Sequence, residues 1–378
     1  MKTLKVLLVS PVGEVGGAEQ VLLALAKRLP DYGVQPSLAC LRPGPLMEKA
    51  AQLGLPVSAF QEHRIRELGK VIGGIRWLTK LVRKVQPDIV HSTHAAHLYS
   101  GAASRITGIP ELWHIHDYPY KPDLIDRLQW RISCQRVLFT TERVKSGYPQ
   151  LSAGPHSVVA PTCVDPAVLQ ATPIDPDIRR RHGLPEGPLF MTVARLQEHK
   201  GHRYLIDAIP EVLKSCPNAI FAIVGKANGR EQESYRDSLR ALCEKLGIAK
   251  SVRLLGYVAD PDLYSLYRSA TALVHPALSE GFGLTLLEAM AMGLPVIAAA
   301  ADGPRELITQ GQNGWLVPIA DSESLSAAII KLVSDAGTQE ALSRGGREFA
   351  AVMSVDRMVK QTVDVYRQMS ERRDNSVE

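Results

Sequence analysis

Cys163-Val164-Asp165-Pro166-Ala167-Val168-Leu169-Gln170-Ala171-Thr172-Pro173-Ile174-Asp175-Pro176-Asp177-Ile178-Arg179-Arg180-Arg181-His182-Gly183-Leu184-Pro185-Glu186-Gly187-Pro188 divides the chain in two. Five prolines and three successive arginines suit a linker followed by a short helix, since proline removes a backbone donor that a continuing element needs. Before this stretch, short β-branched runs alternate with amphipathic segments, and strands are predicted near residues 5–10, 37–42, 88–91, 112–115, 137–140 and 157–159. After it the same alternation predicts strands near 188–193, 219–224, 252–255, 271–275, 295–299 and 315–317. Such alternation marks βαβ units and parallel sheets covered by helices on both faces. The expected fold class is α/β, with two Rossmann-like doubly wound domains. Ligands of such sheets bind beyond the carboxyl ends of the strands, so the expected site lies in a crevice between the domains.

The length of 378 residues agrees with two domains, each able to bury a core. Hydrophobic residues at 45% and charged residues at 22% exclude wholesale disorder, collagen and a coiled coil. The formal charge of +5 hides an asymmetry. Up to Asp165 there are 20 Lys and Arg against 13 Asp and Glu, and beyond it 24 against 26, so the first part carries +7 and the second −2. A basic half attracts phosphates, anionic glycans or lipid headgroups, and nothing in it singles out nucleic acid. Cys40, Cys134, Cys163, Cys216 and Cys243 are scattered, without a CxxC pair, which argues against a disulfide framework or zinc site. The apolar run after Met1-Lys2-Thr3-Leu4-Lys5 is too short for a signal peptide, and no run reaches the ~18–20 residues of a spanning helix. A cytoplasmic protein is expected.

Three loops carry candidate chemistry. Pro11-Val12-Gly13-Glu14-Val15-Gly16-Gly17-Ala18-Glu19 joins a strand to a helix. Its glycines let backbone N–H groups approach an anion, although a tight turn without a ligand fits equally, and the spacing matches neither the dinucleotide fingerprint nor the P-loop. Arg195 and Lys200-Gly201 share a second loop, where a planar fork and a point charge suit a diphosphate; solvated surface residues are the alternative. The third stretch is His275-Pro276-Ala277-Leu278-Ser279-Glu280-Gly281-Phe282-Gly283-Leu284-Thr285-Leu286-Leu287-Glu288-Ala289-Met290. Glu280 and Glu288 stand eight apart, a spacing that predicts nearly the same helical face with Glu288 two turns into the helix. Apolar neighbours argue against a solvated charge stripe, and a carboxylate beside an anion-binding helix end suits hydrogen bonds from sugar or ribose hydroxyls.

The Glu280-to-Glu288 block resembles the E-x7-E motif of retaining GT-B glycosyltransferases of group one, the family-four type. Four further ordered matches extend the resemblance along the chain: Gly16-Gly17-Ala18-Glu19, Arg195 with Lys200-Gly201, Leu255-Gly256-Tyr257-Val258, and Pro295-Val296-Ile297 with Gly303-Pro304-Arg305-Glu306 and Gly311-Gln312-Asn313-Gly314. The resemblance implies the GT-B architecture: residues 1–165, joined by a carboxyl-terminal helix 355–378, as acceptor domain, and residues 166–354 as nucleotide-sugar donor domain. It implies transfer of a hexose-type sugar from a nucleotide sugar, a UDP-sugar as first guess, to a glycan or lipid-linked acceptor, with no other cofactor and no metal. Arg195 and Lys200 would then hold the diphosphate and Glu288 the ribose. Glu280, Phe282, Gly283 and Leu284 would meet the donor sugar, Tyr257 and Val258 the nucleobase. His116, in His114-Ile115-His116-Asp117, would point at the transferred sugar, with His91 and His94 open to either a structural or an acceptor role. An epimerase or phosphorylase of the same architecture, or a non-catalytic nucleotide-sugar-binding protein, are the alternative functions. The chain departs from the pattern at Ala194, in place of a glycine, at Thr162-Cys163, in place of Asn-Gly, and over residues 298–303, a less glycine-rich loop.

Two aspartate pairs, Asp175-Pro176-Asp177 and Asp260-Pro261-Asp262, could suggest a metal, but the second reads as a helix start with Asp260 as N-cap. In the expected helix 66–85, Leu68, Val71, Ile72, Ile75, Leu78, Val82 and Val85 fall on one face, opposite Arg66, Lys70, Arg76, Lys80, Arg83 and Lys84, with Trp77 among the cations. This face fits either solvent or an anionic membrane surface, at which the protein would sit peripherally on the inner side.

Overall fold

The structure is a computed structural model that describes residues 3–60, 68–119, 124–159, 164, 165, 169, 173–227 and 229–374. Arg66, Thr162 and Cys163 lie outside the described residues. The chain forms two compact units, Met1–Cys163 with Val355–Glu378, and Val164–Ser354.

The first unit is built on a seven-stranded parallel sheet. Its strands are β1 (Leu4–Ser10), β2 (Val34–Cys40), β3 (Val57–Ala59), β4 (Ile89–Thr93), β5 (Glu111–Ile115), β6 (Arg136–Phe139) and β7 (His156–Val158). They lie in the order β3-β2-β1-β4-β5-β6-β7, so the winding reverses between β1 and β4, where Val6 is opposite Ile89. β1 is buried at every position but Lys5, as a central strand covered on both faces must be. Leu78 and Val82 of helix Leu68–Val85, with Tyr99 and Ala103 of helix His97–Thr107, pack on Leu7, Val9 and Val90. β3 has no counterpart among the expected strands, because three residues are too few to show a period. Helix Val355–Asp374 returns to this unit, pairing Asp356 with Arg28 at 2.7 Å and burying Tyr366.

The second unit holds a six-stranded parallel sheet of β8 (Leu189–Val193), β9 (Ile220–Val224), β10 (Val252–Gly256), β11 (Ala272–His275), β12 (Val296–Ala299) and β13 (Trp315–Val317). The order β10-β9-β8-β11-β12-β13 reverses between β8 and β11, where Phe190 faces Ala272 and Met191 faces Leu273. Phe190, Phe221, Ile206, Ile209 and Ile329 are among the residues that fill its core. Helix Asp260–Ser269 begins one residue earlier than expected: Ala259 is the N-cap and Asp260 the first helical residue, whose carboxylate favours the positive helix end from inside the first turn.

Candidate functional site

In an open parallel sheet the loops on either side of the reversal splay apart and leave a crevice at the strand ends. In the second unit those loops are residues 194–201, after β8, and 276–283, after β11. They dock directly: the N–H groups of Leu278 and Ser279 donate to the His199 carbonyl at 2.8 and 3.4 Å. Gly201 sits at φ +70°, and any Cβ there would run into the Pro276 carbonyl, so both the turn and the close approach require glycine. Gly283, at φ +103°, is the N-cap of helix Leu284–Ala291.

Docking brings Lys200 and Glu280 together. The Lys200 ammonium donates to Glu280 Oε2 at 3.0 Å, and His275 Nε2 lies 3.0 Å from the same oxygen. The side chains are sheltered, 13% exposed for Lys200, 18% for Glu280 and 2% for His275. Burial pushes the Glu280 carboxyl up, but the attraction of Lys200 and the His275 hydrogen bond outweigh it and hold it well below the usual carboxylate range. Arg195, in the loop after β8, is exposed and forms no ion pair among the described residues.

Glu288 is one turn, not two, into helix Leu284–Ala291, and Glu280 precedes the helix altogether. Helical periodicity therefore does not relate the two glutamates; the loop through Gly283 does. Glu288 is half-buried and accepts a 3.3 Å hydrogen bond from the Tyr267 hydroxyl. Phe282 is buried, and Leu284 opens the helix. Tyr257 and Val258 follow β10, two strands from β8 on the same edge of the sheet; Tyr257 is 70% exposed and Val258 buried. His275 and Tyr267 were not among the expected site residues. His275 ends a buried strand and Tyr267 lies on a neighbouring helix, so no spacing connects them to the glutamates.

In the first unit, Gly16 is the N-cap of helix Gly17–Arg28. Its N–H donates to the carboxylate of buried Glu19 at 3.1 Å, so this amide, read from sequence as available to an anion, is already taken by the helix's own acidic residue. His116, just past β5, is buried, and its ring lies 3.9 Å from that of His114 and 5.0 Å from that of His94. Burial, then repulsion from His94 and His91, holds the His116 imidazole well below its usual pKa. His91 is buried, and its Nδ1 meets the Tyr366 hydroxyl at 2.5 Å and its Nε2 meets His114 Nδ1 at 3.2 Å. His94 lies 3.7 Å from the Asp117 carboxylate.

On helix Leu68–Val85, Arg76, Lys80, Arg83 and Lys84 are exposed. Two residues depart from the expected faces. Ile72 is 46% exposed, on the cationic side, and Trp77 is half-buried against Phe60 with ring centroids 5.5 Å apart. Asp175 and Asp262 share the Arg181 guanidinium at 2.6 and 2.7 Å, which uses both aspartate pairs in one structural bridge. Among the described residues, no three His, Cys, Asp or Glu side chains are placed to hold a metal ion.

Two family models match the chain, "Glycosyltransferase Family 4" over residues 15–168 and "Glycosyl transferases group 1" over residues 175–349. A D-inositol 3-phosphate glycosyltransferase of Acidothermus cellulolyticus is 36% identical over 202 residues, 52% of this chain and 44% of that protein. A GDP-mannose-dependent alpha-(1-6)-phosphatidylinositol monomannoside mannosyltransferase of Mycolicibacterium smegmatis is 29% identical over 187 residues, 47% of each chain. The matched part thus spans less than half the length of these curated relatives. Among solved structures, a glycosyltransferase of Rickettsia africae superposes with a TM-score of 0.83 over 98% of this chain and 99% of that one, at 19% identity. Anabaena HepE, solved with UDP-glucose, gives 0.82 over 96% and 100% at 24% identity. These likenesses establish the GT-B fold.

Proposed function

Because the chain belongs to the group 1, family 4 glycosyltransferases, we propose that it transfers a hexose-type sugar, with retention, from a nucleotide sugar to a hydroxyl of a glycan or lipid-linked acceptor. The observation that carries this reading is the pairing of Lys200 with Glu280 at the reversal of the second sheet, beside the amino end of helix Leu284–Ala291. Negative charge grows on the leaving diphosphate as the glycosidic bond breaks. Lys200, Arg195 and the helix end supply positive potential there without a metal. Glu288 takes the ribose hydroxyls, Glu280 with Phe282, Gly283 and Leu284 the sugar, and Tyr257 and Val258 border the base. We assign the contact with the transferred sugar to His116, whose imidazole burial holds well below its usual pKa.

The names of the relatives favour an inositol-containing acceptor, and the basic face of helix Leu68–Val85 would bring the protein to an anionic membrane that presents one. UDP-glucose and GDP-mannose are the first donors to try, following the ligand of Anabaena HepE and the name of the mycobacterial relative. The test is thermal unfolding with UDP, GDP and ADP and their sugars. A ligand at 100 times its Kd stabilises by about 2.7 kcal/mol, a clear rise in Tm. No shift with any nucleotide would overturn the proposal, and donor turnover without an added acceptor would favour an epimerase.

A further inference from the structure

Lys200, the cation proposed to hold the donor diphosphate, already has an anion on it. Glu280 Oε2 receives Lys200 Nζ and His275 Nε2 together, each at 3.0 Å. A diphosphate must therefore compete with Glu280 for Lys200. The sheltered carboxylate, once released, needs a remaining donor, since an unpartnered buried charge is costly. His275 is in place to be that donor. It is 2% exposed, fixed at the end of β11, and its other nitrogen, Nδ1, has no partner among the described residues. As a carboxylate only accepts hydrogen bonds, Nε2 carries the proton.

Resting on the functional reading above, we propose that Glu280, Lys200 and His275 form a counter-ion switch. Glu280 neutralises Lys200, a nucleoside diphosphate displaces it on binding, and His275 is a positioning residue that holds the freed carboxylate toward the sugar. The switch gives opposite signs to two changes around one lysine. Removing the competing anion tightens binding of a bare nucleoside diphosphate. Removing the imidazole weakens it, because releasing Lys200 would then strand Glu280.

Calorimetric titration of the full chain with UDP, and in parallel with GDP, tests this. Glu280→Gln is expected to bind the nucleoside diphosphate about 3- to 10-fold tighter than wild type while losing turnover, the scale of one partly sheltered ion pair. His275→Leu, of similar volume, is expected to bind it weaker by a like factor, and His275→Gln, which keeps a donor, to restore binding. In the Glu280→Gln background His275→Leu should change nothing further, which a merely structural histidine would not show. If His275→Leu does not fold, Glu280→Gln and His275→Gln still decide. Glu280→Gln binding no tighter than wild type would overturn the switch alone, whereas a wild type that binds neither nucleotide would overturn the functional reading and the switch with it.

Discussion

Lys200 and Arg195 leave the same loop five residues apart, and their surroundings rank them. The sheltered ammonium acts through a lower effective dielectric than the exposed guanidinium, so the same charge would do more at the diphosphate proposed to lie there. We expect Lys200→Ala to lower kcat/KM by about 10²–10³-fold, comparable to losing one preorganised donor, and Arg195→Ala by about tenfold. Steady-state kinetics with varied donor would check this; equal losses would contradict the ranking. Glu288→Ala is expected to nearly abolish transfer, and wild-type activity in it would remove Glu288 from the site. Glu280 and Glu288 are legible in the sequence because they stand among apolar neighbours, whereas Arg195 and Lys200 stand out only through the family resemblance. The supporting shell is not legible. His275 reads as the last residue of a buried strand and Tyr267 as one aromatic on an amphipathic helix. What makes them partners of Glu280 and Glu288 is a fold contact with no sequence period.

Helix Leu68–Val85 shows the same division one level up. Its amphipathic period and buried Leu78 and Val82 follow from the pattern, but Trp77, expected among the cations, turns inward, and Ile72, expected on the apolar face, is exposed, where 3.6 residues per turn set it beside Arg76 and Arg83. Phe60, immediately after β3, draws Trp77 toward the core, and no helical wheel contains the strand before it. One apolar side chain, Ile72, is thus left beside Arg76 and Arg83. An exposed isoleucine among cations suits an interface where headgroups meet acyl chains. Co-sedimentation with vesicles containing anionic lipid is expected to retain the protein, and Arg83→Glu with Lys84→Glu to release most of it, each cation contributing about 1 kcal/mol near such a surface. Binding that ignores lipid charge or salt would assign the face to solvent.

At the scale of the molecule, the two units differ in what acid does to them. The two strand series, and hence the two sheets, are legible because buried parallel strands are continuous apolar runs. The histidine array is only partly so, since it is assembled from β4, β5 and the returning helix. In the first unit burial lowers the pKa of His91 to about 3 and, with repulsion among the rings, holds His114 and His116 well below their ordinary value. Such groups take up protons on unfolding once the pH drops below about 6.5, so their contribution is complete above that pH and is lost as the pH falls toward the folded values. The second unit has His202, lowered to about 4, while Asp321, Asp335 and Glu280 are depressed carboxylates, whose contribution is lost only below their ordinary values near 4. Between pH 6.5 and 5 the first unit should therefore weaken faster. Each buried neutral histidine contributes a slope approaching about 1.4 kcal/mol per pH unit. Trp77, Trp113 and Trp130 lie in the first unit and Trp315 in the second, so a Trp315→Phe variant reports the first by fluorescence. Denaturant unfolding of that variant at pH 7, 6 and 5 is expected to show falling stability, with proton uptake rising toward about three as His91, His114 and His116 titrate in the unfolded chain. His114→Asn should lower the uptake by about one proton, whatever it does to stability at pH 7. Stability that stays level or rises from pH 7 to 5 would mean that the array is protonated in the folded protein.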